Sequence, residues 1–176
     1  MKKTTFTKIL FLSTIIFSVF AISSCKKNND NPSSSGFYVK FKLDGTEKQY
    51  TETTAAVFST ALPVYSCALV GEKLISGTVY EGMGINIFND VAIAANVTYT
   101  DAVVASIGAP QATLLYTDAA GAQESSATAI SPNVKVVLTQ IDDKSVTGTF
   151  SGTIVSTTDL TTTQTVTEGE FHLPRP

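Results

Sequence analysis

Three side chains near the end of the chain have the types and spacing that could bind a metal ion. Glu168, Glu170 and His172 occupy every second position. In a regular β-strand such positions share one face, and two carboxylates with an imidazole suit a divalent metal. Polar residues also alternate outward on any strand with one solvated face, so the same pattern is typical of an ordinary outer surface. We keep these three residues as candidate metal ligands.

The other residues capable of chemistry fit structural roles better. His172 is the sole histidine, so a serine or cysteine hydrolase would have to place its only imidazole base on a terminal strand. Cys67 lies in the apolar run 64–70, where we expect a small buried side chain rather than a reactive thiol. The run 142–144, Asp-Asp-Lys, is typical of a hairpin turn rather than of a calcium site. The sequence predicts no catalytic residue and no cofactor.

Cys25 follows a basic start and an apolar stretch. Three lysines lie within the first eight residues, and 14 largely apolar residues follow at 9–22. A membrane-spanning helix needs about 20 apolar residues, so the shorter stretch is typical of a signal peptide. Ordinary secretion, with cleavage near Ala21 to Ser23, and an uncleaved anchor both fit this pattern.

The ending Ile22-Ser23-Ser24-Cys25 resembles the lipobox of bacterial lipoproteins. The resemblance implies cleavage before Cys25, a diacylglyceryl group on its thiol and acylation of the new amino terminus. Several acyl chains together would anchor the protein stably in a membrane. We therefore expect a lipoprotein signal peptide at 1–24, a lipidated cysteine and flexible tether at 25–36, and a single domain at 37–176.

Without the leader the chain is acidic. The leader holds three of the 12 basic residues and none of the 15 acidic ones, which leaves a net charge of −6. Proteins bind nucleic-acid phosphates through clustered lysine and arginine, and here only Lys26 and Lys27 are adjacent. These two lysines lie beside the expected anchor, where they would contact lipid headgroups. The sequence therefore predicts a membrane partner and no nucleic-acid partner.

From residue 37 onward the chain has the pattern of β-strands joined by short turns. Apolar residues occupy every second position over 37–43, and Asp44-Gly45 supplies the two residues that a tight hairpin turn needs. A return strand is expected at 48–54. Further strands are expected at 64–70, 74–80, 83–88, 97–100, 112–117, 125–130 and 134–141. The one helix expected is a short turn at 90–96, with Asp90 as its cap.

The last strands show which side chains face the core. Apolar residues and glycine alternate with threonine and serine over 146–154, which is typical of a strand with one buried face. Val166 then falls on the opposite phase from Phe171 and Leu173. A bulge at Glu168-Gly169, with the glycine at positive φ, would bring all three onto the core face, and it would also turn Glu168 away from the other candidate ligands.

Together these patterns predict an all-β fold, an antiparallel meander of about 8–10 strands closed as a barrel or folded as a sandwich. The lipobox, the polar tether, the opening strand ending in Asp44-Gly45 and the closing motifs GTFSG (148–152) and TEGEF (167–171) resemble small uncharacterised lipoproteins of Bacteroidetes-type bacteria. The resemblance covers both ends of the chain, and the middle, 46–145, carries no motif that extends it. It implies an all-β envelope lipoprotein of the outer membrane, facing the periplasm or the cell surface, and carries over no catalytic residue. Lys26 and Lys27 depart from the acidic run that surface-displayed members often carry after the cysteine.

Two classes of function fit this sequence, and a purely structural role in the envelope is a third. We favour a non-catalytic, lipid-anchored binding module for a small apolar ligand inside the fold or for an envelope protein at an exposed face. The alternative is a metal-dependent envelope enzyme that uses Glu168, Glu170 and His172. Five tyrosines in expected strands could line an interior pocket, although core packing or pairing on the sheet surface is the other role open to them: Tyr50, Tyr65, Tyr80, Tyr99 and Tyr116.

Overall fold

The computed structural model describes residues 36–61, 64–101 and 110–176. The expected signal peptide, Cys25 and all of the tether before Gly36 lie outside these ranges. Among the described residues, no helix is long and apolar enough to cross a membrane. The strands are β1 (Tyr38–Leu43), β2 (Thr46–Tyr50), β3 (Thr53–Ala61), β4 (Val64–Ser76), β5 (Val79–Asn89), β6 (Thr98–Asp101), β7 (Gln111–Thr117), β8 (Gln123–Ser125), β9 (Lys135–Ile141), β10 (Ser145–Ser156) and β11 (Thr163–Pro174).

One sheet contains all 11 strands, in the order β2-β1-β11-β10-β9-β6-β7-β5-β4-β3, with β8 pairing to both β10 and β7. The first strand therefore pairs with the last one, and Tyr38 lies opposite His172. The sheet folds back on itself, so that Val39 and Tyr50 pack against Gly71 of β4. The all-β prediction is confirmed, and the architecture is consistent with a barrel or a sandwich. It departs from a simple meander in its connections, because β1 pairs with β11, β9 with β6 and β7 with β5, and because β6 and β7 are parallel.

Alternate side chains of the strands point inward and fill the interior. Phe41 lies among aromatic neighbours, with its ring centroid 6.1 Å from those of Tyr50 and Tyr116 and 5.7 Å from that of Phe150. Aromatic pairs at such spacings are favourable in tilted and edge-to-face arrangements. The same inward phase places Tyr99 in the core, where it is fully buried. The interior is therefore occupied by the protein's own large side chains.

The expected hairpin turn and the expected bulge are both present. Asp44 and Gly45 have φ values of 48° and 81°, as a two-residue turn requires. The pairing of β11 with β1 shifts register beside Glu168, and so does its pairing with β10. As a result Val166 and Phe171 face the core together with Leu173, and none of the three is more than 1% exposed.

The backbone of the bulge differs from the prediction in one detail. The left-handed φ, 52°, falls on Glu168 and not on Gly169. Gly169 is needed for another reason, because a Cβ at this position would lie 2.6 Å from Cδ1 of Phe150. Glu168 therefore absorbs the extra residue of the strand, while Gly169 leaves room for a core ring.

Two of the expected strands are wrong. Segment 74–80 is divided by a hairpin turn between β4 and β5, where Gly77 adopts a φ of 54°. Segment 125–130 contains a 3-10 helix, Ser126–Thr128, in place of a strand. The Ser125 hydroxyl accepts a hydrogen bond from the Ala127 N–H at 3.1 Å and so caps this turn. Serine side chains often compete with a sheet ladder in this way.

The expected helix at 90–96 is also wrong, because this segment is a loop fastened to the sheet. The Tyr99 hydroxyl accepts from the Ala94 N–H at 3.0 Å and donates to the Ala94 carbonyl at 3.1 Å. Asn96, at a φ of 62°, donates its N–H to the Leu138 carbonyl at 2.7 Å. The expected return strand at 48–54 ends early, and β3 follows it as a separate strand that the sequence pattern does not predict.

Candidate functional site

The candidate metal ligands lie on an outer face of the sheet, where two of them are paired with lysines. Glu170 Oε2 is 3.0 Å from Lys40 Nζ, and Glu168 Oε2 is 2.7 Å from Lys42 Nζ. All four side chains are substantially exposed. The two carboxylates are therefore neutralised across the β1–β11 pair, as is common on a solvated sheet surface.

His172 is engaged separately from the two carboxylates. Its Nδ1 lies 3.1 Å from the Gly36 carbonyl oxygen, and its ring centroid lies 4.8 Å from that of Phe37. Within the ranges that the structure describes, no three side chains of His, Cys, Asp or Glu are grouped so that they could hold a metal ion. The structure therefore does not bring the three candidate ligands together as a metal site.

The most unusual polar group is Glu81 of β5, which is only 4% exposed. Its Oε1 accepts hydrogen bonds from Lys48 Nζ at 2.9 Å and from the Tyr50 and Tyr116 hydroxyls, each at 3.0 Å. Its Oε2 lies 3.0 Å from Lys73 Nζ. We call these five side chains the Glu81 cluster.

The Glu81 cluster joins strands from the two ends of the sheet order. Lys48 and Tyr50 belong to β2, whereas Lys73, Glu81 and Tyr116 belong to β4, β5 and β7. Lys73 is the direct cross-strand partner of Glu81. Among the described residues β2 forms no backbone ladder with β4, β5 or β7, so these side-chain bonds, together with the packing of Tyr50 against Gly71, connect β2 to that part of the fold.

The electrostatics of the cluster fix its protonation state. Burial by itself would raise the pKa of Glu81, but the hydrogen bonds from both lysines and both tyrosines outweigh it and lower the pKa to about 2. Burial also raises the pKa values of Tyr50 and Tyr116. At neutral pH the carboxylate is thus ionised and the two phenols are neutral, so neither kind of group is poised for proton transfer.

None of the sequence patterns described above predicts the Glu81 cluster, although the position of Glu81 in its strand indicates one. Glu81 shares its phase with Met83, Ile85 and Ile87, which are all buried. A carboxylate on the inward phase of a strand must find partners, because an unpaired buried charge is strongly destabilising. On β2, Lys48 lies directly opposite the buried Phe41, so its side chain is on the inward face as well and also needs a partner.

The tyrosines proposed as pocket residues all lie in strands, and three of them are part of the core. Tyr50, Tyr99 and Tyr116 are at most 3% exposed, and their hydroxyls are bonded to Glu81 or to Ala94. Tyr65 and Tyr80 are half-buried. These positions support the core-packing role for Tyr50, Tyr99 and Tyr116.

Two further expectations concern Cys67 and the acidic turn. Cys67 is 1% exposed, and burial raises the pKa of its thiol to about 12, so it behaves as the expected buried side chain. Asp142 Oδ1 accepts from the N–H groups of Lys144 and Ser145 at 2.8 and 2.7 Å. These bonds close the β9–β10 hairpin, so the turn prediction is confirmed.

A second outer face differs from the ion-paired one in having three adjacent rows of uncharged side chains. These rows cross the ladders of β3, β4, β5 and β7 and consist of residues that alternate with the buried ones; the next row of the same face contains Glu72. We call the three rows the uncharged face, and its members are Ala55, Val57, Ser59, Ser66, Ala68, Val70, Gly84, Asn86, Phe88, Gln111, Thr113 and Leu115. Val57 is 43% exposed. Apolar side chains thus occur on both sides of these four strands.

Comparison with models of protein families, with curated proteins and with solved structures finds no match to this chain.

Proposed function

We propose that this chain is a lipid-anchored protein of the bacterial cell envelope, held at Cys25 in the outer membrane, whose β domain binds a protein partner through the uncharged face. It is a binding module and not an enzyme. The uncharged face is the observation that carries this proposal. Interface centres are depleted in charged residues, and solvated sheet faces of monomeric proteins are usually polar.

The interior supports a protein partner over a small apolar ligand. The side chains that could line a pocket instead pack against one another, as the ring contacts around Phe41 illustrate. The Glu81 cluster ties β2 to the strands facing it. A ligand entering from this side would have to break bonds to a carboxylate that is nearly buried.

The titratable groups support a role without catalysis. Glu168 and Glu170 are each paired with a lysine. The pKa of Glu81, about 2, keeps this carboxylate ionised at neutral pH, where a general acid would need a much higher value. The function that these groups favour is maintenance of the fold and of its surface.

A photo-crosslinking amino acid placed at Val57 of the full chain tests the binding surface. Irradiation of intact cells should give one discrete protein adduct from this position, because Val57 is the most open apolar side chain of the uncharged face. The matched control is Thr149, an exposed, outward-facing position in the middle of β10. No adduct from Val57, or equal adducts from both positions, would contradict the proposal.

A further inference from the structure

We propose that the partner protein binds at the edge of the uncharged face, where one of its extended segments adds as a new strand beside β3. This inference rests on the proposed function and names the part of the partner that binds. Strand addition joins the backbones of two chains by hydrogen bonds, while side chains at alternate positions select the segment that fits.

β3 is an edge strand without the features that usually protect one. It stands at one end of the sheet order, and among the described strands it pairs only with β4. Proteins usually protect an edge with charged residues, proline, a bulge or a short strand. The nine residues of β3 include no charge and no proline, and its ladder has no bulge. β2, at the other end of the order, has only five residues and carries Glu47 and Lys48.

The free edge of β3 carries the backbone groups of every second residue. The Leu74 N–H donates at 3.3 Å to Oε2 of Glu52, which directly precedes β3, so the even-numbered residues of β4 direct their N–H groups toward β3. In an antiparallel ladder these residues exchange both hydrogen bonds with the residues opposite them, which are the odd-numbered residues of β3. The N–H and C=O groups of the even-numbered residues of β3 therefore point away from β4: Thr54, Ala56, Phe58 and Thr60.

The part of this edge at 57–60 is accessible. No described residue forms a hydrogen bond to its outward backbone groups, and Val57, Ser59 and Thr60 are exposed. β11 approaches β3 from the core side, where the Arg175 guanidinium carbon lies 4.6 Å from the centre of the Phe58 ring. Phe58 itself packs against the core. The side of β3 that faces away from β4 is therefore open to an incoming strand.

An extended polypeptide is the partner that these backbone groups fit. They repeat at every second residue, about 6.8 Å apart, which is the repeat of the backbone groups on another strand. The outer side chains beside the edge are Ala55, Val57 and Ser59, so uncharged side chains should face them on the incoming segment. Glu72 places a charge opposite Thr53, at the first residue of β3 and away from the open part of the edge.

The photo-crosslinker at Val57 tests strand addition when Thr60 of the same full chain is also replaced. Thr60→Pro removes one outward N–H and leaves the ladder with β4 intact, and edge strands tolerate proline in this orientation. We expect the Val57 adduct in intact cells to fall about tenfold, because a hydrogen bond is lost and the proline ring occupies its place. Thr60→Val is the matched control, since it keeps the backbone N–H, and it should leave the adduct unchanged.

Amide hydrogen exchange tests the same inference without a proline, should Thr60→Pro unfold the chain. In the purified Val57 adduct the Phe58 and Thr60 N–H groups should exchange about tenfold more slowly than in the free full chain, whereas the Ser59 N–H, which bonds to β4, should exchange equally in both. A full adduct yield from folded Thr60→Pro, or unchanged exchange at Phe58 and Thr60, would overturn strand addition and leave the proposed binding function standing. No adduct from Val57 would overturn both, and an adduct of two copies of this chain would overturn the assignment to a partner protein.

Discussion

Replacing Glu81 with alanine should destabilise the fold by about 3–5 kcal/mol. The hydroxyls of Tyr50 and Tyr116 would lose their acceptor inside the core, at about 1–3 kcal/mol each. Lys48 and Lys73 are 30% and 40% exposed, so their ammonium groups would regain water and add little. The loss is large against the roughly 5–15 kcal/mol by which most domains are stable.

Two further variants separate the buried tyrosine bonds from the lysine pairs. Glu81→Gln keeps one oxygen that can accept from both tyrosines, so we expect a smaller loss of about 1–2 kcal/mol. Combining Glu81→Leu with Tyr50→Phe and Tyr116→Phe removes donors and acceptor together and should recover much of the loss seen in Glu81→Ala. Urea unfolding followed by circular dichroism measures all three, because the chain contains no tryptophan. The reasoning is refuted if the triple variant is less stable than Glu81→Ala.

Glu81 should also account for part of the decrease in the free energy of unfolding at low pH. The pKa of Glu81 is lowered to about 2 in the folded protein from an ordinary value of 4.5. Its contribution to the free energy of unfolding is therefore complete above about pH 4.5 and is lost as the pH falls towards 2. Between pH 5 and pH 3 the unmodified chain should lose more stability than Glu81→Gln does. Parallel pH profiles for the two proteins would show that Glu81 does not titrate as described.

Three further outcomes are expected. Gly169→Ala should lower the free energy of unfolding in urea by about 1–3 kcal/mol, because its Cβ would press on the Phe150 ring, whereas Gly84→Ala should cause no loss in the same assay. Cys67 should resist a maleimide reagent in the folded protein and react after unfolding in urea, as mass spectrometry would detect; rapid labelling of the native chain would contradict its burial. Cys25→Ser should release the chain from the membrane fraction and abolish the mass increase of acylation, and persistence of both would refute the lipobox interpretation.

The fold class and the bulge follow from the sequence because both depend on side-chain phase. The phase change between Val166 and Phe171 requires an extra residue in β11, whatever the strand pairs with. β3 is harder to predict, because Ala55 and Ala56 are both small and give no alternation around them. The parallel pairing of β6 with β7 depends on contacts between distant segments, which no local pattern specifies.

The candidate site is less accessible to sequence reasoning, and the reason is geometric. The spacing of Glu168, Glu170 and His172 is correct for one strand face, but it contains no information on Lys40 and Lys42, which a neighbouring strand supplies. Glu81 is recognisable as a charge on a buried phase, whereas its partners come from three other strands. A sequence pattern can therefore identify a residue that needs partners without identifying the partners.

The pairing of β1 with β11 determines when the fold can be completed. Tyr38 of β1 pairs with His172 of β11. The edge of β1 that faces β11 therefore stays unpaired until nearly the whole chain is available. Long-range pairing of this kind slows folding, because the entropy of closing the chain between β1 and β11 is lost before any favourable contact forms. The β1–β11 ladder can therefore form only once β11 is present, and this part of the sheet closes late in folding.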